Sequence, residues 1–400
     1  MDEREFRARQ EQEFRRASMK RLRRIRLPNL LGVIVLWAAT SCATAKCAFG
    51  ALGVCDFFVW THGWRIHCSL CMRHNSLPSA DLRGAHITSK VCATPQLRKE
   101  SQTLSAGQVG NQEIAVRAMN KLMDGDFDAA SEIFRQIQAS APESPLGYLL
   151  EADANWWKIY LVEANLTDPD VFEALSEAPT PYDADFRRSV DIAIRKAEAR
   201  IQVHQDEAYS YFYEGLGYGL RARLEALRDH ALGTARAGKK LRSSSLAALK
   251  LDPNLNDAYF GIGLYNYFVD TLPTYVKMLR FLILLPGGDR LVGLRQMQEA
   301  MEKGQLVTSE ARFHLAKDYS RPIEHQFATS LELFRQMEQQ YPHNPLWRLL
   351  AGGVELRMGQ VKEGETLYRQ VIDETAHPPS EIWNPLHQQA ERALARRYGH

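Results

Sequence analysis

One set of offsets recurs after residue 105, and nothing else in the sequence constrains the fold as tightly. In AMNKLMDGDFDAASEIFRQIQASAP, Ala130 is followed four residues on by Phe134, seven on by Ile137 and twelve on by Pro142. Leu241, Ser245, Ala248 and Pro253 repeat the spacing, as do Ser330, Phe334, Met337 and Pro342. Gly364, Tyr368 and Val371 make a fourth copy without the proline. Positions i, i+4 and i+7 lie on one face of an α-helix, and a proline beyond them stops it. Helices that each bury one such stripe need partners, so the region predicts stacked helix pairs.

The partner helices lie beside these copies. Tyr259, Ile262, Gly263 and Asn266 stand at i, i+3, i+4 and i+7, and so do Trp347, Leu350, Ala351 and Val354. More worn copies are Tyr148/Ala152, Tyr211/Gly215/Tyr218 and Leu315/Ala316/Tyr319. Short turns join the pairs as DGDF at 124–127 and MGQV at 358–361. First helix, turn, second helix, proline: the pattern resembles the tetratricopeptide repeat. That resemblance implies an all-α fold, an α-solenoid of helical hairpins over 106–400. It also implies a small residue at the eighth position of the first helix, where the second crosses it, and Gly263 occupies that place. A glycine inside a helix costs about 1 kcal/mol relative to alanine, so close packing there has to offset the loss. The spacing is irregular: Tyr211 to Tyr259 is 48 residues, and Arg312 to Trp347 is 35. Long inserts or extended helices are expected in the middle.

That irregular centre, GIGLYNYFVDTLPTYVKMLRFLILLPGGDRLVGLRQMQEAMEKG, bears a narrower likeness. It is similar to the signature region of the eukaryotic tetratricopeptide family of outer-mitochondrial-membrane proteins implicated in inclusion-body and lipid-droplet clearance, and of its bacterial relatives. The match runs through Gly261, Asn266, Leu272, Pro273, Leu279, Phe281, Gly288, Arg290, Gly293 and Leu294. It is close over 257–304 and loose over 106–400. Within it, LPGGDR should end an apolar helix, turn through positive φ at Gly287 and Gly288, and cap the next helix with Asp289.

The N-terminus departs from the mitochondrial members. From Lys20 the chain reads KRLRRIRLPNLLGVIVLWAATSCATAKC, a basic run, an apolar core from Leu30 to Ala39, then small residues. This is the layout of an export signal, and Met19 is an alternative start. An apolar core of about ten residues is short for a hydrocarbon layer of about 30 Å. Three outcomes stay open: cleavage after Ala43-Thr44-Ala45, lipid attachment at Cys42 behind a degenerate lipobox, or an uncleaved membrane anchor extended by AFGALGVCDFFVW. Residues 1–45 are therefore an export signal or anchor, and the chain is expected in the periplasm or attached to a cell-envelope membrane, as a bacterial member would be.

Residues 46–105 show no sustained period and form a mostly irregular linker that includes Cys47, Cys55, Cys68, Cys71 and Cys92. No cysteine follows Cys92, so the repeats must be held by packing alone. HCSLCMRH sets Cys68, Cys71 and His74 at spacings that suit two thiolates on one zinc. A second ligand pair is missing, and Met72 after Cys71 excludes haem attachment. A thiol–disulfide couple and incidental cysteines are the other readings, and no cofactor is expected.

The formal net charge is only +2, and no long Lys/Arg stripe interleaved with aromatics appears after residue 100, so nothing supports a nucleic-acid footprint and no nucleic-acid partner is expected. No H-E-x-x-H, G-x-S-x-G or G-x-x-x-x-G-K-[ST] frame occurs, so the chain is not expected to be an enzyme. The expected function is a protein–protein interaction scaffold that holds a peptide or helix of its partner in the repeat groove. The alternative is a repeat domain serving a thiol or metal function through the N-terminal cysteines. Tyr218, Asn266 and Tyr267 on first helices, with Arg290 beyond the insert, are the candidate partner-binding residues.

Overall fold

The computed structural model describes residues 106–398 apart from 168–173, 177, 273–276, 278–283 and 378–379. The expectations placed on the export segment, Cys42 and the Cys68/Cys71 pair lie outside the described residues. Among the described residues thirteen α-helices follow one another: α1 Ala106–Met123, α2 Phe127–Ser140, α3 Leu146–Glu163, α4 Asp183–Gln202, α5 Glu207–Leu227, α6 Ala231–Leu251, α7 Ala258–Thr271, α8 Arg290–Lys303, α9 Thr308–Tyr319, α10 Phe327–Gln340, α11 Pro345–Arg357, α12 Val361–Thr375 and α13 Asn384–Tyr398. A 3₁₀ turn at Glu381–Trp383 precedes α13, and one isolated bridge joins Ala164 to Ala174. Among the described residues no helix is long and apolar enough to cross a membrane.

The helices pack in sequence as hairpin-like pairs, and the offsets seen in the sequence explain how. In α2 the buried residues are Phe127, Ala130, Phe134 and Ile137. The recurring positions of α6, α10 and α12 are buried likewise. Gly125 and Gly359 sit in the two short turns at φ +86° and +81°, a conformation glycine adopts without steric penalty. Asp126, Asp289 and Asn344 accept the first free backbone N–H groups of α2, α8 and α11. The turn ahead of α8 differs from expectation. Neither Gly287 nor Gly288 has positive φ, whereas Leu284 does. Gly288 is instead required by proximity, because a Cβ there would lie 2.3 Å from the carbonyl oxygen of Asn266.

The two members of a pair are buried differently. Nine of the 12 residues of α9 are buried, against four of 14 in α8. The odd-numbered helices up to α11 thus form an inner layer, whereas the even-numbered ones and α13 present one stripe to it and the rest to solvent. Gly263 of α7 answers to this layering. Its missing Cβ would meet the backbone of α8 at 2.9 Å, and that of Gly293 would meet α7 at 2.6 Å. The two helices touch backbone to backbone.

The inner layer also closes on itself. Trp347 Nε1 and Asn344 Nδ2 donate to the carbonyl oxygen of Met123 at 3.0 and 2.8 Å. Tyr341 donates to Asn120 Oδ1 at 2.9 Å, and His343 N–H donates to Asp124 Oδ1 at 3.1 Å. Trp383 packs on Phe127 with ring centroids 6.1 Å apart, and Gln389 bonds the backbone at Ala164 and Leu166. Repeat arrays ordinarily place each unit against its neighbours only; here the first and last pairs share a core.

Candidate functional site

The inner helices converge on a buried polar cluster. Helix α3 sets Asp153 and Trp157 one turn apart on the same face, and α9 does the same with Glu310 and His314. Arg223 reaches them from α5. Trp157 Nε1 donates to Glu310 Oε1 at 2.7 Å, while Arg223 Nη2 lies 2.8 Å from Glu310 Oε2 and Nη1 lies 3.7 Å from Asp153 Oδ1. Edge-on aromatics cover this side: Trp157 stands 4.9 Å from Phe313 and 5.7 Å from Trp347, centroid to centroid. Phe260 offers its ring face to the Arg223 guanidinium at 5.7 Å.

Burial sets the protonation of this cluster. Asp153 is 8% exposed; desolvation and then the charge of Glu310 push its carboxyl well above the usual range, with Arg223 opposing. His314 moves the other way, held well below the ordinary histidine value by desolvation and by Arg223 and Lys317. Each shift favours the uncharged form, as expected where water is excluded. Beside the cluster lies a cavity of about 40 Å³ bounded by Met119, Leu149, Leu150, Leu220, Phe260 and Leu264 among others, with Asp153, Arg223 and Glu310 in its wall. Among the described residues no three His, Cys, Asp or Glu side chains converge to hold a metal ion.

The four residues proposed from sequence are not brought together there. Tyr218 is half-buried on α5, where its hydroxyl donates to Glu198 Oε1 at 3.2 Å and its ring is flanked by Arg221 at 5.2 Å and Lys240 at 5.6 Å. Asn266 donates from Nδ2 to Gln296 Oε1 at 2.8 Å, tying α7 to α8. Arg290 pairs with the almost fully buried Glu324, and its backbone N–H donates to Asp270 Oδ2 at 3.1 Å. Tyr267 is 0% exposed, with the Arg321 guanidinium 5.7 Å from its ring centre. Periodicity sets Tyr267 off the packing stripe of α7, but Arg321, from the segment after α9, covers it.

Sequence reasoning missed Asp153, Arg223, Glu310 and Trp157. The available signal was an acid at an inner position of LGYLLEADANWWKIYL, a stretch apolar on nearly every side. It also missed Asp257. This side chain accepts from the backbone N–H groups of Gln305, Leu306 and Val307 at 2.8 to 3.1 Å and so holds the α8–α9 connection. No protein-family model matches the chain, and no curated protein matches it either.

Proposed function

We propose that the chain is a tetratricopeptide-type scaffold of the bacterial cell envelope that acts by binding another protein, with no reaction of its own. The hairpin geometry supports the repeat reading through the glycine turns, the buried stripes and the Gly263–Gly293 crossing. The basic and apolar N-terminal segment supports export. The observation that carries the binding reading is the set of α4, α5 and α6 side chains gathered around Tyr218. There a partly exposed aromatic ring stands between two cations, and Arg221 Nη2 is in turn held 2.5 Å from Asp191. Aromatic and arginine side chains dominate protein interfaces, because they bury much area at low entropic cost. Prearranged as they are here, they suit an extended or helical segment carrying its own acids and apolar residues.

The test is crosslinking capture from the native envelope by the full-length chain and by Tyr218→Ala. The substitution should weaken capture of the partner by about tenfold or more while the melting temperature stays nearly unchanged. A large drop in melting temperature with unchanged capture would overturn the assignment and return Tyr218 to the core.

A further inference from the structure

Helix α6 differs from the other outward-facing helices in its charge. Its 21 residues include Arg236, Lys239, Lys240, Arg242 and Lys250 and no acid, whereas α2, α4, α8, α10 and α12 each mix Asp or Glu with their cations. Arg236, Lys239, Lys240 and Lys250 are exposed, and none of them forms an ion pair among the described residues. At 3.6 residues per turn, Leu232, Arg236, Lys239, Ser243, Leu246 and Lys250 fall within an arc of about 80°, and at 1.5 Å per residue they run for about 27 Å.

Leucines interrupt these cations. Leu232 and Leu246 are 50% and 40% exposed, and the surface continues past α6 onto Leu284, 74% exposed. Ala235, next to Arg236, packs on Tyr265, Val269 and Leu285, and the Tyr265 hydroxyl donates to the carbonyl oxygen of Pro286 at 2.7 Å. The chain at 284–286 therefore lies along this flank of α6. Leu284 holds φ +51°, a conformation unfavourable to leucine, and its exposed side chain gains no packing within the chain to offset it.

Residue type chooses the partner. Lysine is depleted in protein interfaces and leucine is under-represented among their hot spots. A negatively charged bilayer takes up both, because lysine stems keep the ammonium groups among the phosphates while leucines reach the acyl boundary. We infer that the outer face of α6, with Leu284, docks on an anionic membrane surface. Apart from Lys240, which also flanks Tyr218, the face shares no residue with the Tyr218 grouping, and the inference does not rest on the protein-binding reading.

The apolar run at 30–39 gives the full-length chain a second route to lipid, so the readout has to be local. Lysine acetylation, read residue by residue by mass spectrometry, provides it. The chain is labelled alone, with vesicles of phosphatidylcholine, and with vesicles of equal parts phosphatidylcholine and phosphatidylglycerol. Only the anionic vesicles should protect Lys239 and Lys250, by about fivefold or more. Lys362, exposed on α12, should keep its rate, and high salt should remove the protection. Arg236→Gln should weaken the docking read at Lys250 about fivefold. Leu284→Asn should weaken it severalfold without lowering the melting temperature, since asparagine tolerates positive φ better than leucine. Tyr218→Ala should leave it unchanged, so the two readings fail separately. Equal protection by both kinds of vesicle, or protection that extends to Lys362, would overturn the proposal. Protection by polyglutamate as strong as by anionic vesicles would replace the bilayer with an acidic protein segment, and protection by soluble glycerophosphate would replace it with a single phosphate.

Discussion

Replacing Gly263 by alanine separates two opposed effects of known size. A glycine-to-alanine change inside a helix gains about 1 kcal/mol from propensity. At Gly263, however, the new Cβ would stand 2.9 Å from the carbonyl oxygen of Gly293, 2.9 Å from the amide nitrogen of Met297 and 2.7 Å from its Cγ. Two of these three atoms are backbone, which no rotamer change can move, so α7 and α8 must separate and loosen the contacts of Tyr267 and Met297. Overpacking of this kind costs about 1–3 kcal/mol. The net expectation is a destabilisation of up to about 2 kcal/mol for Gly263→Ala, and more for Gly263→Leu. Gly238→Ala is the control. Its Cβ would meet only Tyr265, at 3.8 Å, and the variant should be stabilised by about 0.5–1 kcal/mol. Urea unfolding of the full-length chain followed by helical circular dichroism, at constant m-value, measures both. Shifts of the same sign in the two variants would refute the close-approach explanation of Gly263.

Further outcomes follow from the inner layer. His314 has a depressed pKa, so the unfolded chain takes up its proton first, and the stability it contributes is present above about pH 6.5 and lost as pH falls toward the lower folded value. Asp153 has a raised pKa, so its contribution is present below about pH 3.9 and lost as pH rises through the higher folded value. In mild acid the slopes oppose: His314→Gln should leave stability that falls with rising pH, and Asp153→Asn stability that falls with falling pH. Urea midpoints at two pH values check this, and equal slopes in the two variants would refute it. Trp347→Phe removes the hydrogen bond to Met123 from a fully buried site and should cost about 1–3 kcal/mol. Amide exchange should then quicken in α1 as well as α11; acceleration confined to α11 would count against closure of the array.

The elements legible in the sequence were those with a local cause. Phe134, Ile137, Phe334, Met337, Tyr368 and Val371 sit where their offsets put them because helical periodicity is fixed by the backbone. Gly125, Gly359 and Asp289 were readable from turn and cap chemistry. Gly263 was readable from the cost of a glycine that packing has to offset. What escaped depends on residues brought together across the chain. Arg223 and Glu310 look in sequence like charges on solvated helix faces, and only the convergence of α3, α5 and α9 places them inside. Tyr267 appears free to reach a groove until Arg321 is laid over it. Closure had no local signature, since its central acceptor is the main-chain oxygen of Met123, which every residue type possesses.

Closure sets a schedule for synthesis. The carbonyl of Met123 waits for a side chain 224 residues downstream. At about 5–20 residues per second that is roughly 10–45 s of translation. Throughout this interval the growing chain carries Phe127 and Trp157 without the indoles of Trp383 and Trp347 that shield them in the finished protein. An open repeat array can lock each unit as it emerges from the ribosome. This chain must keep its earliest aromatic surface soluble until its last helices arrive, and C-terminal truncation should therefore harm the first hairpin as well as the last.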